Sequence, residues 1–297
     1  MKKKAFGLLA LLIIYVAAIC LGGLVFILMK DHVHYLLAIL FADVAATVFV
    51  WSAGLICKTA SVYDPYWSLQ TFFFYLGLLI YANNWNVFTI IPLVAIGLYS
   101  FRLTFNFIKG FHDLSYVDWR YDMLKDKTGH FFQFVNLFGI CMFPTLVVYL
   151  ASLPIFVYAM MPASEMGYLD VIGSIVILFG TLLEFIADGQ MKKFIRNRTS
   201  KNEVINIGLW KYSRHPNYLG EITIWFGVAL VLIISHPLYW YLLLGAVVNL
   251  LMFLFISIPM EEKHMLQYKE ELSLYIASTS CLLLLPRKKS QLEKEEE

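Results

Sequence analysis

Charge is scarce in this sequence: 15% of its 297 residues are Asp, Glu, Lys or Arg, whereas 60% are hydrophobic. That balance excludes a soluble globular domain and points to a polytopic membrane protein. Cysteine is scarce as well. Cys20, Cys57, Cys141 and Cys281 are scattered in or beside apolar runs with no C-x-x-C pair, so packing as small hydrophobes is expected, with no disulfide framework and no cysteine metal site. Of the seven histidines only His32 and His34 lie close together, and no helical face carries a cluster of them, so no metal cofactor is expected. The net charge is +2 with no basic block and no interleaving of aromatic with basic residues, which argues against nucleic acid as a partner. Long linkers, repeats and low-complexity stretches are absent too. A single membrane domain over 1–297 is therefore expected, rather than an anchor carrying a soluble enzyme.

Long apolar runs are what the chain has in abundance. They lie near 5–29, 34–57, 66–82, 86–108, 131–160, 167–189, 216–235 and 237–259, most of them long enough to cross about 30 Å of hydrocarbon. The expected fold is all-α, a bundle of about eight transmembrane helices. Lys and Arg gather on the cytoplasmic side of membrane proteins. With Lys2, Lys3 and Lys4 inside, the inner loops hold Lys58, then Lys109, Arg120, Lys125 and Lys127, then the seven basic residues from Lys192 to Arg214. Only Lys30 falls outside, so both termini are expected in the cytoplasm. The first run is too long for a signal-peptide core and lacks a small-x-small cleavage site, which makes it a retained helix. The acidic stretch Glu293 to Glu297 reads as a solvated end, within a polar tail from 286 to 297. The polar break at Ser235, His236 and Pro237 is short enough for a tight hairpin.

The polar loops at 109–130 and 190–215 and the tail after 260 hold enough polar residues to build a site. In the first, Phe111 to Tyr121 mixes aromatics with charge. It reads either as an interfacial amphipathic segment or as a cofactor-facing loop in which Asp118 and Arg120 sit among stacking rings. At the inner end of the sixth run, Glu184, Asp188 and Lys192 fall in one helical row, four apart. Asp188 and Lys192 are accounted for by a charge pair at a helix end, but Glu184 lies a turn deeper and needs a polar partner or ligand.

The densest polar string runs from Gly208 to Glu221 and contains Arg214, His215, Asn217, Tyr218 and Glu221. Proline is favoured at the first position of a helix, so the seventh span is expected to start at Pro216. Its free N–H groups and dipole, beside Arg214 and His215, make an anion site suited to a phosphate-bearing ligand from the cytosol. Snorkelling of Arg214 to lipid headgroups and capping by His215 is the plainer alternative.

That string resembles the signature of the steroid 5-alpha-reductase-like membrane proteins, particularly their bacterial branch of multipass proteins. Glu184, Ala187, Asp188, Gln190 and Phe194 fit the same pattern, as do Asp64 with Trp67, Arg102 with Leu103, and Asp118, Arg120 and Tyr121. The resemblance covers roughly 40–280, with the first run as an additional helix. It implies an integral protein of the bacterial cytoplasmic membrane, an NADPH-dependent reductase of an activated carbon–carbon double bond in an apolar substrate drawn from the bilayer. Sterols, isoprenoids and lipid-like enoyl compounds are the substrate classes, and membrane lipids the other partners. It also implies cofactor contacts from Asp188 and Asn217, then Arg196, Arg214, His215 and Tyr218, with Arg120 and Glu261 weaker. Glu184 and Glu221 join this set as polar groups of the same two segments. The carboxylate and tyrosine that polarise the substrate carbonyl map to Asp64 and Tyr99. Such a pair suits the chemistry, because hydride addition pushes charge onto the carbonyl oxygen and a donor aimed there lowers the barrier. Asp64 also reads as a cap of the third span, and Tyr99 as an ordinary buried or lipid-facing aromatic. Ile276, Ala277 and Ser278 stand where relatives usually have basic residues, which leaves NADPH against NADH open.

Two other classes compete. An S-adenosylmethionine-dependent methyltransferase of the isoprenylcysteine or phospholipid type would use Arg214, His215, Pro216, Tyr218 and the Glu261–Glu262 pair. A non-catalytic lipid-binding or transport protein would need none of this chemistry.

Overall fold

The structure is a computed structural model that describes residues 2–288. The acidic stretch Glu293 to Glu297 lies outside the described residues. The fold is helical and, among the described residues, contains no strand. In chain order the α-helices are α1 (Lys2–Met29), α2 (Tyr35–Cys57), α3 (Tyr66–Ala82), α4 (Val87–Gly110), α5 (Trp119–Thr128), α6 (Phe132–Val135), α7 (Phe143–Ala159), α8 (Val171–Asn197), α9 (Pro216–Ile233), α10 (Leu244–Met252), α11 (Ile258–Met265) and α12 (Leu272–Ser278). Among the described residues, seven helical stretches have eighteen or more residues and the hydropathy to cross a membrane. α3 occupies the expected 66–82 but has 17 residues, at the lower end of what a bilayer requires. The protein is an integral multipass membrane protein. The final pair of runs is not a simple hairpin: α9 ends at Ile233, a 3₁₀ segment Pro237–Leu243 follows, and α10 passes through a π-turn into α11.

The chain forms two compact units, Met1–Ser174 with Val228–Gly245, and Ile175–Gly227 with Ala246–Glu297. In the first unit α1 lies along α2, α2 packs on α3 and α7, and α3 packs on α4 and α7. Local chemistry sets the corners. Asn83 ends α3 in the left-handed region at φ 48°, a conformation Asn tolerates better than most residues. Asn86 then starts α4 with a reciprocal capping box: its side chain receives the N–H of Phe88 and Thr89, and Thr89 Oγ1 receives the N–H of Asn86. Asn84 donates to the carbonyls of Ala159 and Met161, tying this corner to the end of α7.

The middle of this unit is polar. Asp43 on α2 is fully buried; Tyr66 donates to one of its oxygens at 2.8 Å and Gln70 Nε2 to the other at 3.1 Å. Gln70 Nε2 also reaches the carbonyl of Thr145, whose hydroxyl bonds with Thr47 and Tyr63. In hydrocarbon every such group must find an internal partner, and here hydrogen bonds join α2, α3, α7 and the turn before α3.

In the second unit α8 and α9 cross in close contact. A Cβ on Gly180 would come 2.7 Å from the carbonyl oxygen of Gly220, and a Cβ on Gly220 would come 2.7 Å from that of Gly180. Small residues at such a crossing let the backbones approach, which is how packing drives helix association in membranes. The segment after α8 folds back on it: Gln190 accepts from Leu209 N, and Trp210 donates to the carbonyl of Ala187. Gly208 sits at φ +59° under the Gln190 side chain, a place with neither the conformation nor the room for a Cβ.

Candidate functional site

In the second unit the Gly180–Gly220 crossing sets the polar groups of α8 and α9 against one another. A Cβ on Gly220 would lie 2.8 Å from the Glu184 Cβ, so Glu184 packs on α9 at the level of Glu221. Both are buried, and Glu221 accepts from Trp225 Nε1 at 2.9 Å. One turn toward the connecting loop come Asp188 on α8 and Asn217 on α9, both half-buried. The buried Oδ1 of Asn217 has no hydrogen-bond partner among the described residues.

At the start of α9 Arg214 and His215, both expected to meet the ligand, are already engaged. Arg214 Nε lies 2.8 Å from Glu262 Oε1, and its Nη1 donates to the carbonyls of Ile276 and Thr279. His215, buried, meets the same Glu262 oxygen at 2.9 Å and stacks on Tyr218 with ring centroids 5.3 Å apart. The segment is clamped from behind, since Tyr275 donates to the carbonyls of Trp210 and Ser213, and Arg214 N donates to Ser280. Ile276 thus contributes only its carbonyl here. Glu261 is half-buried in the first turn of α11, and Arg196 is exposed in the last turn of α8. In sequence the Glu261–Glu262 pair entered only as an element of the methyltransferase alternative; in the structure Glu262 is the carboxylate that meets both Arg214 and His215.

In the first unit Asp64 does not cap α3: the residue in the capping position is Pro65, and no side chain caps that helix. Its carboxylate receives the hydroxyl of Tyr121 instead. Burial, joined by the charge of Asp118, pushes the Asp64 carboxyl up to about 7 against the Tyr121 hydrogen bond, which lowers it. Arg120 is held by Asp118 through two parallel bonds of 2.7 and 2.9 Å, while Asp118 also caps α5. The loop is pinned beneath by Ser61 to Asp118 N and by Thr59 to the carbonyl of Tyr116. Tyr99 is buried within α4. The tyrosine that pairs with Asp64 is therefore Tyr121, and the spacing of Asp64 and Tyr121 along the chain gives no hint of it.

The Asp43, Tyr66, Gln70 and Thr145 cluster was missed by the sequence reading. The criterion that singled out Glu184, an ionisable residue inside an apolar run, applies equally to Asp43.

A protein of Schizosaccharomyces pombe described as uncharacterized protein C594.04c is 27% identical over 201 residues, covering 59% of this chain and 58% of its own length. No solved structure matches the chain. The family model described as "Protein of unknown function (DUF1295)" matches residues 49–279. The chain belongs to that family, a group of membrane proteins related to the steroid 5-alpha-reductase-like proteins.

Proposed function

We propose that this protein is a membrane-embedded NADPH-dependent reductase of an activated carbon–carbon double bond in an apolar substrate taken from the bilayer. The observation that carries the reading is the polar seam of α8 and α9, where Glu184, Asp188 and Glu221 accompany an Asn217 oxygen that has no partner among the described residues. The residues fit the cofactor: an orphaned buried acceptor suits a carboxamide N–H, and carboxylates suit ribose hydroxyls. Arg196, exposed at the end of α8, is available to a phosphate. Arg214 and His215 then act through Glu262, fixing the first turn of α9 so that Asn217 is held in place. The bound nicotinamide supplies hydride.

On the substrate side the chain's own contribution is a proton held near neutrality. Asp64, bonded to Tyr121, is pushed by burial up to about 7, and a carboxyl raised toward neutrality is suited to exchanging a proton. Tyr99 keeps its proposed role as a hydroxyl donor to the substrate carbonyl. The charge pattern supports a cytoplasmic mouth for α9 and cytoplasmic termini.

One observation favours a second reading. Arg214, His215, Tyr218 and Glu262 gather in a single cluster, and these are the elements a membrane methyltransferase would use. Thermal protection of the purified protein separates the two: NADPH stabilises a reductase, and S-adenosylmethionine a methyltransferase. Asn217→Ala and Asp188→Ala should each weaken NADPH binding about tenfold, the scale of one lost hydrogen bond to a buried group, with the unliganded melting point retained. Unchanged NADPH affinity in both variants discards the assignment.

A further inference from the structure

A cavity of about 370 Å³ lies in the first unit among α1, α2 and α3, within the range of small-ligand pockets. Its walls are almost wholly apolar and include Gly22, Gly23 and Gly77. A Cβ built on Gly23 or Gly77 meets nothing within 4 Å, so the missing side chains are part of the space. Along α3 the lining extends from Tyr66 to Tyr81, fifteen residues or about 22 Å of helix. That is the shape of one extended chain.

One end of the cavity is polar. Tyr66 and Gln70 line it, with Asp43 bonded to both. The amide of Gln70 can be oriented in one way only, because its Nε2 faces two acceptors, the Asp43 carboxylate and the Thr145 carbonyl. Its Oε1 is consequently a buried acceptor without a partner among the described residues, on a side chain that is 4% exposed. A group of this kind is costly unless something donates to it.

We propose that this cavity is a binding site for a single-chain lipid ending in a hydroxyl, a long-chain alcohol, whose O–H is donated to Gln70 Oε1. A hydrocarbon of the same length leaves that oxygen unpaired. A fatty-acid carboxylate is an acceptor only and has no proton to give that oxygen. The site goes beyond the reductase reading and does not depend on it. Its α1 wall, with Ile39 and Ala46 of α2, lies outside residues 49–279, the part of the chain that the family model matches, whereas its α3 wall lies inside them.

The test is equilibrium binding of radiolabelled hexadecanol to the full chain in nanodiscs of fixed composition, with hexadecane and palmitate as competitors. Saturable binding is expected, with hexadecane and palmitate each roughly tenfold weaker than the alcohol, the value of one buried hydrogen bond. Gly77→Leu combined with Gly23→Leu adds side chains at two lining positions where a Cβ meets nothing within 4 Å, and should abolish binding while the melting point is retained. Gln70→Leu should bring the alcohol down to the affinity of the alkane. Absence of saturable binding by the wild type, undiminished binding by a folded double glycine variant, or equal competition by palmitate overturns the proposal. NADPH protection, measured on the same samples, is expected to be unaltered by the glycine substitutions, so failure here is separable from failure of the reductase reading.

Discussion

Asp43 is the residue whose loss should cost the first unit most. Asp43→Ala leaves the Tyr66 hydroxyl without its acceptor and removes one of the two acceptors of Gln70 Nε2. Stranding such groups costs about 1–3 kcal/mol each, so a fall of about 2–4 kcal/mol in stability is expected, read as a lower melting temperature in detergent. Asp43→Asn, which keeps an acceptor, should lose less. Asp64 makes a prediction of opposite character. Its carboxyl is raised from 3.8 to about 7 by burial, so the folded state holds the proton more tightly than the unfolded chain does. This group therefore favours folding at acid pH, and that contribution is lost progressively as pH rises from about 4 to about 7. Asp64→Asn should flatten the melting temperature over that interval, and superimposable pH profiles for the two proteins would refute the assignment. Sequence spacing marks Asp64 and Tyr121 as separate polar residues, 57 positions apart; their bond exists because the 59–64 turn and the 111–118 loop are tied together by Thr59 and Ser61.

At the scale of elements, the α8–α9 crossing is the feature on which the candidate site rests. Gly220→Ala places a methyl group 2.7 Å from the Gly180 carbonyl and 2.8 Å from Glu184, and the obstruction is backbone. Overpacking of this sort costs about 1–3 kcal/mol. It should also separate Glu184 from α9, so that NADPH protection falls along with stability; a variant with wild-type melting and wild-type protection would show the crossing to be unimportant. Gly245 is tighter still, since a Cβ there would meet the Leu150 carbonyl of α7 within the first unit. The spans themselves were legible: α2 and α3 begin and end within a residue of the apolar runs. The interruptions between Pro237 and Ser257, where 3₁₀ and π segments break one apolar run, were not, because uninterrupted hydrophobicity does not distinguish helix types.

For the whole molecule, the cofactor proposal has a simple thermodynamic signature. At a concentration one hundred times its Kd, NADPH should stabilise the folded protein by about 2.7 kcal/mol, with S-adenosylmethionine giving no shift. The topology proposal is checked separately by cysteine labelling on a background in which Cys20, Cys57, Cys141 and Cys281 are replaced. Lys125→Cys and Lys211→Cys should react with an impermeant thiol reagent only from the cytoplasmic side, and Asp31→Cys only from the other. Labelling of Lys125→Cys and Asp31→Cys from one side would reverse the charge-based assignment.

By itself the sequence determined that the protein is a multipass helical membrane protein, because 60% hydrophobic residues in long runs have no other stable solvent. It also marked out the polar string from Gly208 to Glu221, because charged groups at the end of an apolar run stand out against their surroundings. Tertiary structure alone decided the partners. Glu262 meets Arg214 and His215, Tyr121 meets Asp64, and Gln70 turns its amide toward Asp43 and Thr145. A buried polar group takes whichever complementary atom the packing of distant helices brings within about 3 Å, and that proximity is not encoded in any local run of residues.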